Sequence, residues 1–421
     1  MNVAADRSTI ADLSLAPQGR DAIAWASRYS PVLNGLLRSE LADGSFDGLR
    51  VALVVHLEAK TAFLATILAD AGAEVVVAGS NPHSTRDEIS AALVDMGIEV
   101  HSSHATSYEQ WETDLLAVAD TEPSYIIDDG AELTVRMAKH RPELYAKLQG
   151  VSEETTTGVA RLRSLETAGR LPFAAMAAND AACKHMFDNR YGTGQSTVQA
   201  ILALTNFLMA NKRVTVIGYG WVGRGIANYA RAMGARTAVV EVDPIRALDA
   251  HMEGHQVAPL AVALADSDLV ITATGGMRAI GSRDFEHVKP NAVLANAGHH
   301  DLEIDVDALR AESNGVHVVR DGVTRFNWGG GTAINVLSAG ALVNIAGGLG
   351  HPIEIMDLSF AVQGLSSHEL VVGDYEPGVH VLPRRLDEAI ARARLAADGV
   401  EVDALAGDQH DDIDRWLEVG S

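Results

Sequence analysis

The 421-residue chain carries 33 Lys+Arg against 56 Asp+Glu, a formal charge of −23, with 47% hydrophobic and 21% charged residues. At about 100–200 residues per domain this predicts two to three globular domains, with a surface too acidic for nucleic acid or an anionic membrane. The single cysteine, Cys183, excludes an internal disulfide and any multi-cysteine metal site and fits a reducing cytoplasm; the N-terminal residues lack the pattern of a signal peptide, and no apolar run approaches about 18 residues.

Short β-rich runs alternate with amphipathic stretches, the pattern of parallel α/β layers. Residues 51–55 (Val-Ala-Leu-Val-Val) read as a buried strand, 60–71 as a helix, 74–78 as a second strand, 85–96 as a helix, 98–100 as a third strand and 124–127 as a fourth. The first and fourth strands run into His56 and Asp129. Ligand sites of open parallel sheets lie beyond strand carboxyl ends, so both are candidate site residues. A helix over 197–209 predicts a connector into a second domain, which opens with a strand at 213–217 and continues through strands at 238–240, 269–272 and 292–295. The glycine-rich 347–350 suggests a hinge back towards the first domain. The tail from Pro383 reads as a helix over 386–396 and a short element ending at Trp416-Leu417.

Gly218-Tyr-Gly220-Trp-Val-Gly223 fits G-x-G-x-x-G, with a strand before it, a helix over 224–233 after it, and a second strand ending at Glu241. The glycines allow a tight turn and close approach of a pyrophosphate to a helix N-terminus. Glu241, 18 residues beyond Gly223, stands where a carboxylate accepts from the adenosine ribose hydroxyls and repels a 2′-phosphate, so the cofactor read here is NAD. Thr274, just beyond a later strand, borders the same site.

Three further segments are more specific: Ser152-Glu-Glu-Thr-Thr-Thr-Gly158, Asn179-Asp-Ala-Ala-Cys-Lys-His-Met-Phe-Asp-Asn-Arg-Tyr-Gly192 and Asn296-Ala-Gly-His-His-Asp-Leu-Glu-Ile304. Together with 218–223 and Gly350-His-Pro352 they resemble the signature segments of S-adenosylhomocysteine hydrolase, in family order over nearly the whole chain. His56-Leu-Glu-Ala-Lys-Thr61 and His351-Pro-Ile-Glu-Ile-Met-Asp357 resemble the short archaeal and Thermotoga-like form.

The resemblance implies oxidation of a nucleoside 3′-hydroxyl by tightly held NAD⁺, loss of the 4′-hydrogen, elimination at C5′, addition of water and return of the hydride. It places Lys184 and Asp188 at the ribose hydroxyls, their i, i+4 spacing putting both on one helix face, with Lys184 lowered in pKa by desolvation to take the 3′-hydroxyl proton. His56 and Asp129 match the pair near C5′, and His299 and His351 the histidines of the substrate gate. Glu58, Lys60, Thr61, Glu154, Asn179 and Met356 join the substrate-binding set. Thr155, Thr156, Thr157, Asn189, Gly218, Gly220, Val222, Gly223, Glu241, Thr274, Asn296, Gly298 and Asn344 match cofactor contacts. No histidine pair has metal-ligand spacing with carboxylates, so no catalytic metal is expected.

The chain also departs from the family. Longer forms place Thr and Glu at the adenine, where this chain has Glu58 and Lys60. A lysine cannot accept from a 6-amino group, which makes a 6-oxo purine an alternative base. Ala339-Gly-Ala341 replaces Glu-Gly-Arg near the region that handles the thioether's amino-acid tail, and 101–106 also differs. No lysine follows Lys289 and no tyrosine follows Tyr375, so the long form's tail contact to a neighbour's NAD is not expected, although a homo-oligomer, dimer or tetramer, is.

The resulting expectation is an α/β protein of two parallel-sheet, Rossmann-like domains joined by hinges, with a small C-terminal helical tail. Residues 1–193, completed by 352–383, would bind substrate, 194–351 would bind NAD, and 384–421 would form the tail. The leading function is reversible hydrolysis of S-adenosyl-L-homocysteine in the cytoplasm. The alternatives are the same steps on another nucleoside (5′-dehydration or S-inosylhomocysteine hydrolysis) and, last, a non-catalytic NAD-binding regulator.

Overall fold

The computed structural model describes residues 3–298, 301–328 and 332–404; His299 and the Trp416-Leu417 element lie outside these. Valine-, isoleucine- and alanine-rich runs, buried on both faces, build a seven-stranded sheet in which every pairing is parallel. In spatial order its strands are Gly378–His380, Ala174–Met176, Gly150–Glu153, Tyr125–Asp128, Arg50–Val55, Glu74–Gly79 and Glu99–Val100. A second sheet of eight strands runs Gly315–Arg320, Val323–Asn327, Ala333–Leu337, Val293–Asn296, Leu269–Thr272, Arg213–Ile217, Arg236–Val240 and Gln256–Val257. It is parallel except where Val323–Asn327 pairs antiparallel with both neighbours. The expected α/β architecture with two mostly parallel sheets is therefore what forms.

Local differences have local causes. The connector helix spans Thr193–Thr205, not 197–209, because Asn206 adopts a left-handed conformation (φ 56) and its N–H closes on the Leu202 carbonyl. The helix expected over 85–96 is Asp87–Asp95, preceded by a 3₁₀ turn at Pro82–Ser84. Gly150–Glu153, Ala174–Met176 and Gly378–His380 are too short to announce themselves and exist because each pairs with a neighbour in the first sheet. The antiparallel edge is half-exposed, with Val318 70% accessible, so it lacks the burial pattern of the inner strands.

Three features position the site. The helix Ile353–Val372 is apolar enough to be buried nearly all round through its middle, and Asp357 anchors it by accepting from Val32 N–H (3.0 Å) and Leu33 N–H (2.9 Å). The helix Trp221–Ala232, which follows the glycine fingerprint, touches the turn at His185–Gly192 so closely that a Cβ on Gly225 would sit 1.9 Å from the Arg190 carbonyl oxygen. Asp387 of the last described helix, Arg384–Ala397, caps Ala182–Lys184 by accepting from Ala182 N–H (2.6 Å) and Cys183 N–H (2.8 Å). Cys183 is buried there as a packing residue. No described helix is long and apolar enough to cross a membrane.

Candidate active site

A cavity of about 370 Å³ opens beyond the carboxyl ends of the first sheet, between the turn at His185–Gly192, the glycine fingerprint and the 347–350 segment. Two buried carboxylates hold the loop behind it. Asp128 accepts from Thr134 N–H (2.9 Å) and Thr134 Oγ1 (2.7 Å), while Glu153 accepts from the N–H groups of Gly130, Ala131 and Thr155, each at 2.8 Å. Burial pushes Asp128 up to about 6 and Glu153 well above the usual range. Between them they hold the 129–131 loop, in which Ala131 is left-handed (φ 54), and aim Asp129 into the cavity.

Asp129 meets His56 there. Asp129 Oδ2 lies 3.4 Å from His56 Nε2 and accepts from Ser80 Oγ at 2.8 Å, while His56 Nδ1 faces Ser84 Oγ at 2.7 Å. The imidazole is thus held on both nitrogens beside a carboxylate, an arrangement able to pass a proton.

Lys184 lines the same cavity, buried, at the entry to a π-helical turn. The wider turn brings both i+4 and i+5 to it: Lys184 Nζ donates to Asp188 Oδ1 (3.1 Å) and Asn189 Oδ1 (2.9 Å), and Glu154 Oε1 lies 3.5 Å away. Ser359 Oγ donates to Asp188 Oδ2 (2.8 Å), Gln363 Nε2 to Glu154 Oε2 (2.6 Å), and His351 Nδ1 sits 3.4 Å from Asp188 Oδ2. Burial alone would lower the Lys184 pKa as expected from its sequence, but Asp188, Glu154 and Asp129 outweigh burial and raise it, so the resting residue is an ammonium. Burial likewise works against the Asp188 carboxylate, yet Lys184, His351 and Ser359 hold it well below the usual carboxylate range. Glu154 loses the contest. Burial, with Asp188 and Asp129 adding, pushes it up to about 8 despite Lys184.

The third wall has the shape of a dinucleotide cradle. A Cβ on Gly218 (φ 94) would meet the Ala273 carbonyl oxygen at 2.6 Å and one on Gly223 the Gly218 carbonyl oxygen at 2.0 Å, so neither tolerates a side chain. A Cβ on Gly220 would meet only the Arg246 guanidinium, at 3.8 Å, so the Arg246 charge stands beside the cradle where phosphate would lie. Asn344 donates from Nδ2 to Ser196 Oγ (3.1 Å), and its buried Oδ1 has no partner among the described residues, leaving an acceptor ready for an amide donor. These residues fit NAD.

Of the residues predicted from sequence, His56, Glu58, Thr61, Asp129, Glu154, Thr155, Thr156, Thr157, Asn179, Lys184, Asp188 and Asn189 all line this one cavity. So do Gly220, Val222, Thr274, Gly298, Asn344, His351 and Met356. Gly218 and Gly223 lie beneath the cradle. Asn296 is buried behind it, accepting from Gly298 N–H (2.8 Å) and donating to the Gly340 carbonyl (3.0 Å). Glu241 turns to backbone, accepting from Tyr219 N–H (2.7 Å) and Asp243 N–H (3.0 Å) rather than lining the cavity. Lys60 also points elsewhere than expected: its ammonium meets Glu58 Oε2 (2.9 Å) and the Leu349 carbonyl (3.2 Å), so Glu58, an acceptor, is what faces the cavity. Sequence reasoning missed Ser80, Ser84, Arg246, Ser359 and Gln363. The last two left a signal, an i, i+4 polar row on an otherwise apolar helix. Among the described residues no group of three or more His, Cys, Asp or Glu could hold a metal ion.

Comparison with known proteins decides the family. Residues 7–144 match the model of S-adenosyl-L-homocysteine hydrolase, and residues 189–350 that of the S-adenosyl-L-homocysteine hydrolase NAD binding domain. The chain is 45% identical to an adenosylhomocysteinase of Thermococcus kodakarensis over 409 residues, covering 97% of each. It is 44% identical to the adenosylhomocysteinase of Thermotoga maritima, over 94% of this chain and 99% of that one. It is also 42% identical to an S-inosyl-L-homocysteine hydrolase of Methanopyrus kandleri, over 97% of each. The chain belongs to the S-adenosyl-L-homocysteine hydrolase family. Its cofactor is accordingly NAD, and within this hydrolase family it resembles the short form.

The protonated Glu154 has a measurable signature. The folded chain binds this proton more tightly than the unfolded chain, whose value is near 4.5, so the stabilisation is full below that pH and is lost as pH rises to about 8. Glu154→Gln removes this contribution and leaves those of Asp128 and Glu153. Between about pH 5 and 8 the native protein should lose up to about 1.4 kcal/mol per pH unit relative to the variant in urea unfolding. Parallel pH curves for the two proteins would contradict a buried, protonated Glu154.

Proposed function

We propose that this family member catalyses the reversible, NAD-dependent hydrolysis of S-adenosyl-L-homocysteine to adenosine and homocysteine. The observation that carries the reading is the joining, in one cavity, of a dinucleotide cradle, the Lys184–Asp188–Glu154 cluster and the His56–Asp129 pair. When bound, NAD⁺ supplies a hydride acceptor at C3′ and later returns the hydride.

The chain's own residues do the rest. Lys184 and Asp188 hold the 3′-hydroxyl and manage its proton, and Glu154 and Asn179 bind the neighbouring ribose oxygens. His56 and Asp129 serve C5′, giving a proton to the departing thiolate and taking one from the water that replaces it. Glu58 and Thr61 line the base end beside Met356; an acceptor there suits the exocyclic amino group of adenine. His351, bonded through Nε2 to Thr193 Oγ1 (3.1 Å) and facing Asp188, ties the 347–350 hinge to the reacting centre, and His299 is assigned with it by resemblance alone. The same reading divides the chain into a substrate domain (1–193 with 352–383), an NAD domain (194–351) and a tail (384–421). It also makes the protein a cytoplasmic homo-oligomer; the exposed apolar side chains of Val242, Ile245 and Met252 (97%, 78% and 78% accessible) support the oligomer.

The direct test is incubation of the holoenzyme with S-adenosyl-L-homocysteine and a thiol reagent. Free thiol should appear, and none at any enzyme level would overturn the reading. A second test follows from the charge on Lys184, which must shed its own proton before accepting one from O3′, so oxidation should accelerate on the alkaline side. Asp188→Asn removes a carboxylate that holds the ammonium and should move that limb to lower pH by about 1–3 units. NADH formation from adenosine, followed against pH, reads the limb; an unmoved limb would contradict the role.

A further inference from the structure

A neutral imidazole carries one proton, and the partners of its two nitrogens decide which of them holds it. At His56 those partners differ. Nδ1 lies 2.7 Å from Ser84 Oγ, and Nε2 lies 3.4 Å from Asp129 Oδ2. All three residues line the main cavity, and Thr61 steadies the histidine by donating from Oγ1 to its carbonyl at 2.6 Å.

A serine hydroxyl has one proton to give and two lone pairs with which to accept. Ser84 sits buried at the end of the 3₁₀ turn Pro82–Ser84, and its Oγ donates to the Asn81 carbonyl at 2.8 Å. A carbonyl oxygen can only accept, so that bond uses the hydroxyl proton. The contact with His56 must then run from Nδ1–H to Ser84 Oγ. Ser80 agrees with this direction: its Oγ, 3.4 Å from Nδ1, donates to Asp129 Oδ2 at 2.8 Å and has only lone pairs left for the ring. The turn is pinned where it stands. Asn81 Oδ1 accepts from His83 N–H (2.9 Å), the Pro82 carbonyl from Ala105 N–H (2.9 Å), and Arg86 N–H donates to the Leu57 carbonyl (3.0 Å).

We propose that Ser84 is a positioning residue that sets the tautomer of His56: it accepts Nδ1–H and leaves Nε2 and Asp129 to share one further proton, which can move. The step this serves rests on the hydrolase reading above, whereas the hydrogen arrangement stands apart from it. When the C5′–S bond breaks, the shared proton passes to the departing sulfur. The emptied Nε2 then takes a proton from water as the water oxygen bonds to C5′. The base that took the 4′-hydrogen returns it to C4′, and the pair is restored. In the opposite tautomer the ring's own proton would sit on Nε2, bonded to Asp129, and no lone pair would remain to take the proton of water.

Two measurements on the holoenzyme test this. In Ser84→Ala, kcat for thiol release from S-adenosyl-L-homocysteine should fall at least about tenfold with little change in KM, while NADH formation from adenosine persists. Native thiol release in this variant would overturn the role, and so would an equal loss of both activities, which would make Ser84 a structural residue only. Neutron diffraction from deuterated holoenzyme reads the hydrogens themselves. Deuterium should lie on Nδ1, pointing at Ser84, with the Ser84 deuterium turned to the Asn81 carbonyl. A bare Nδ1 receiving the Ser84 deuterium would overturn the proposal whatever the substrate. Native enzyme that releases no thiol overturns the hydrolase reading, and the neutron map still decides the tautomer.

Discussion

The buried ion pair between Lys184 and Asp188 is the constraint on which the site depends. Neither charge survives burial alone, and removing one partner of such a pair typically costs about 3–5 kcal/mol because the other is stranded. The pair therefore enforces its surroundings. Asp188 is ionised only because Lys184, His351 and Ser359 converge on it, which fixes the π-helical turn, the segment at His351 and the long helix Ile353–Val372 against one another. The charge balance of the pair also leaves Glu154 as the group that keeps a proton.

This arrangement gives the cavity two chemically distinct ends. On the proposed reading, one end, with Lys184, Asp188 and the nearby cradle, serves a carbinol whose carbon gives up a hydride and whose oxygen gives up a proton, and the other, with His56 and Asp129, serves a carbon that loses one nucleophile and gains another. Asp128 and Glu153 lock the loop that carries Asp129. Among the described residues eleven buried carboxylates stand against two buried lysines, Lys60 and Lys184, so most of these acids depend on N–H and hydroxyl donors or on a retained proton.

Much of this was legible in the sequence because its signals are local. The glycine fingerprint is one: its spacing, its strand and its helix sit within a few residues. His56 and Asp129 are another, since strand ends can be read from short apolar runs. What stayed hidden depends on distant segments. The expected low pKa of Lys184 reverses because Ser359 and Gln363, 171 and 209 residues from the carboxylates they bond, help keep Asp188 and Glu154 beside it. Lys60 turns from the base end because the Leu349 carbonyl and Glu58 draw its ammonium away. Glu241 is committed to backbone N–H groups that no spacing rule reveals. The short strands Ala174–Met176 and Gly378–His380 exist only as partners to each other and the sheet.

On the proposed reading the cavity divides into an oxidising end and a C5′ end, and NADH formation separates the two. Holoenzyme carrying Asp129→Asn, mixed with adenosine, should still develop NADH absorbance while releasing no thiol from S-adenosyl-L-homocysteine; Lys184→Met should do neither. Loss of NADH formation in Asp129→Asn, or its persistence at the native rate in Lys184→Met, would contradict the division.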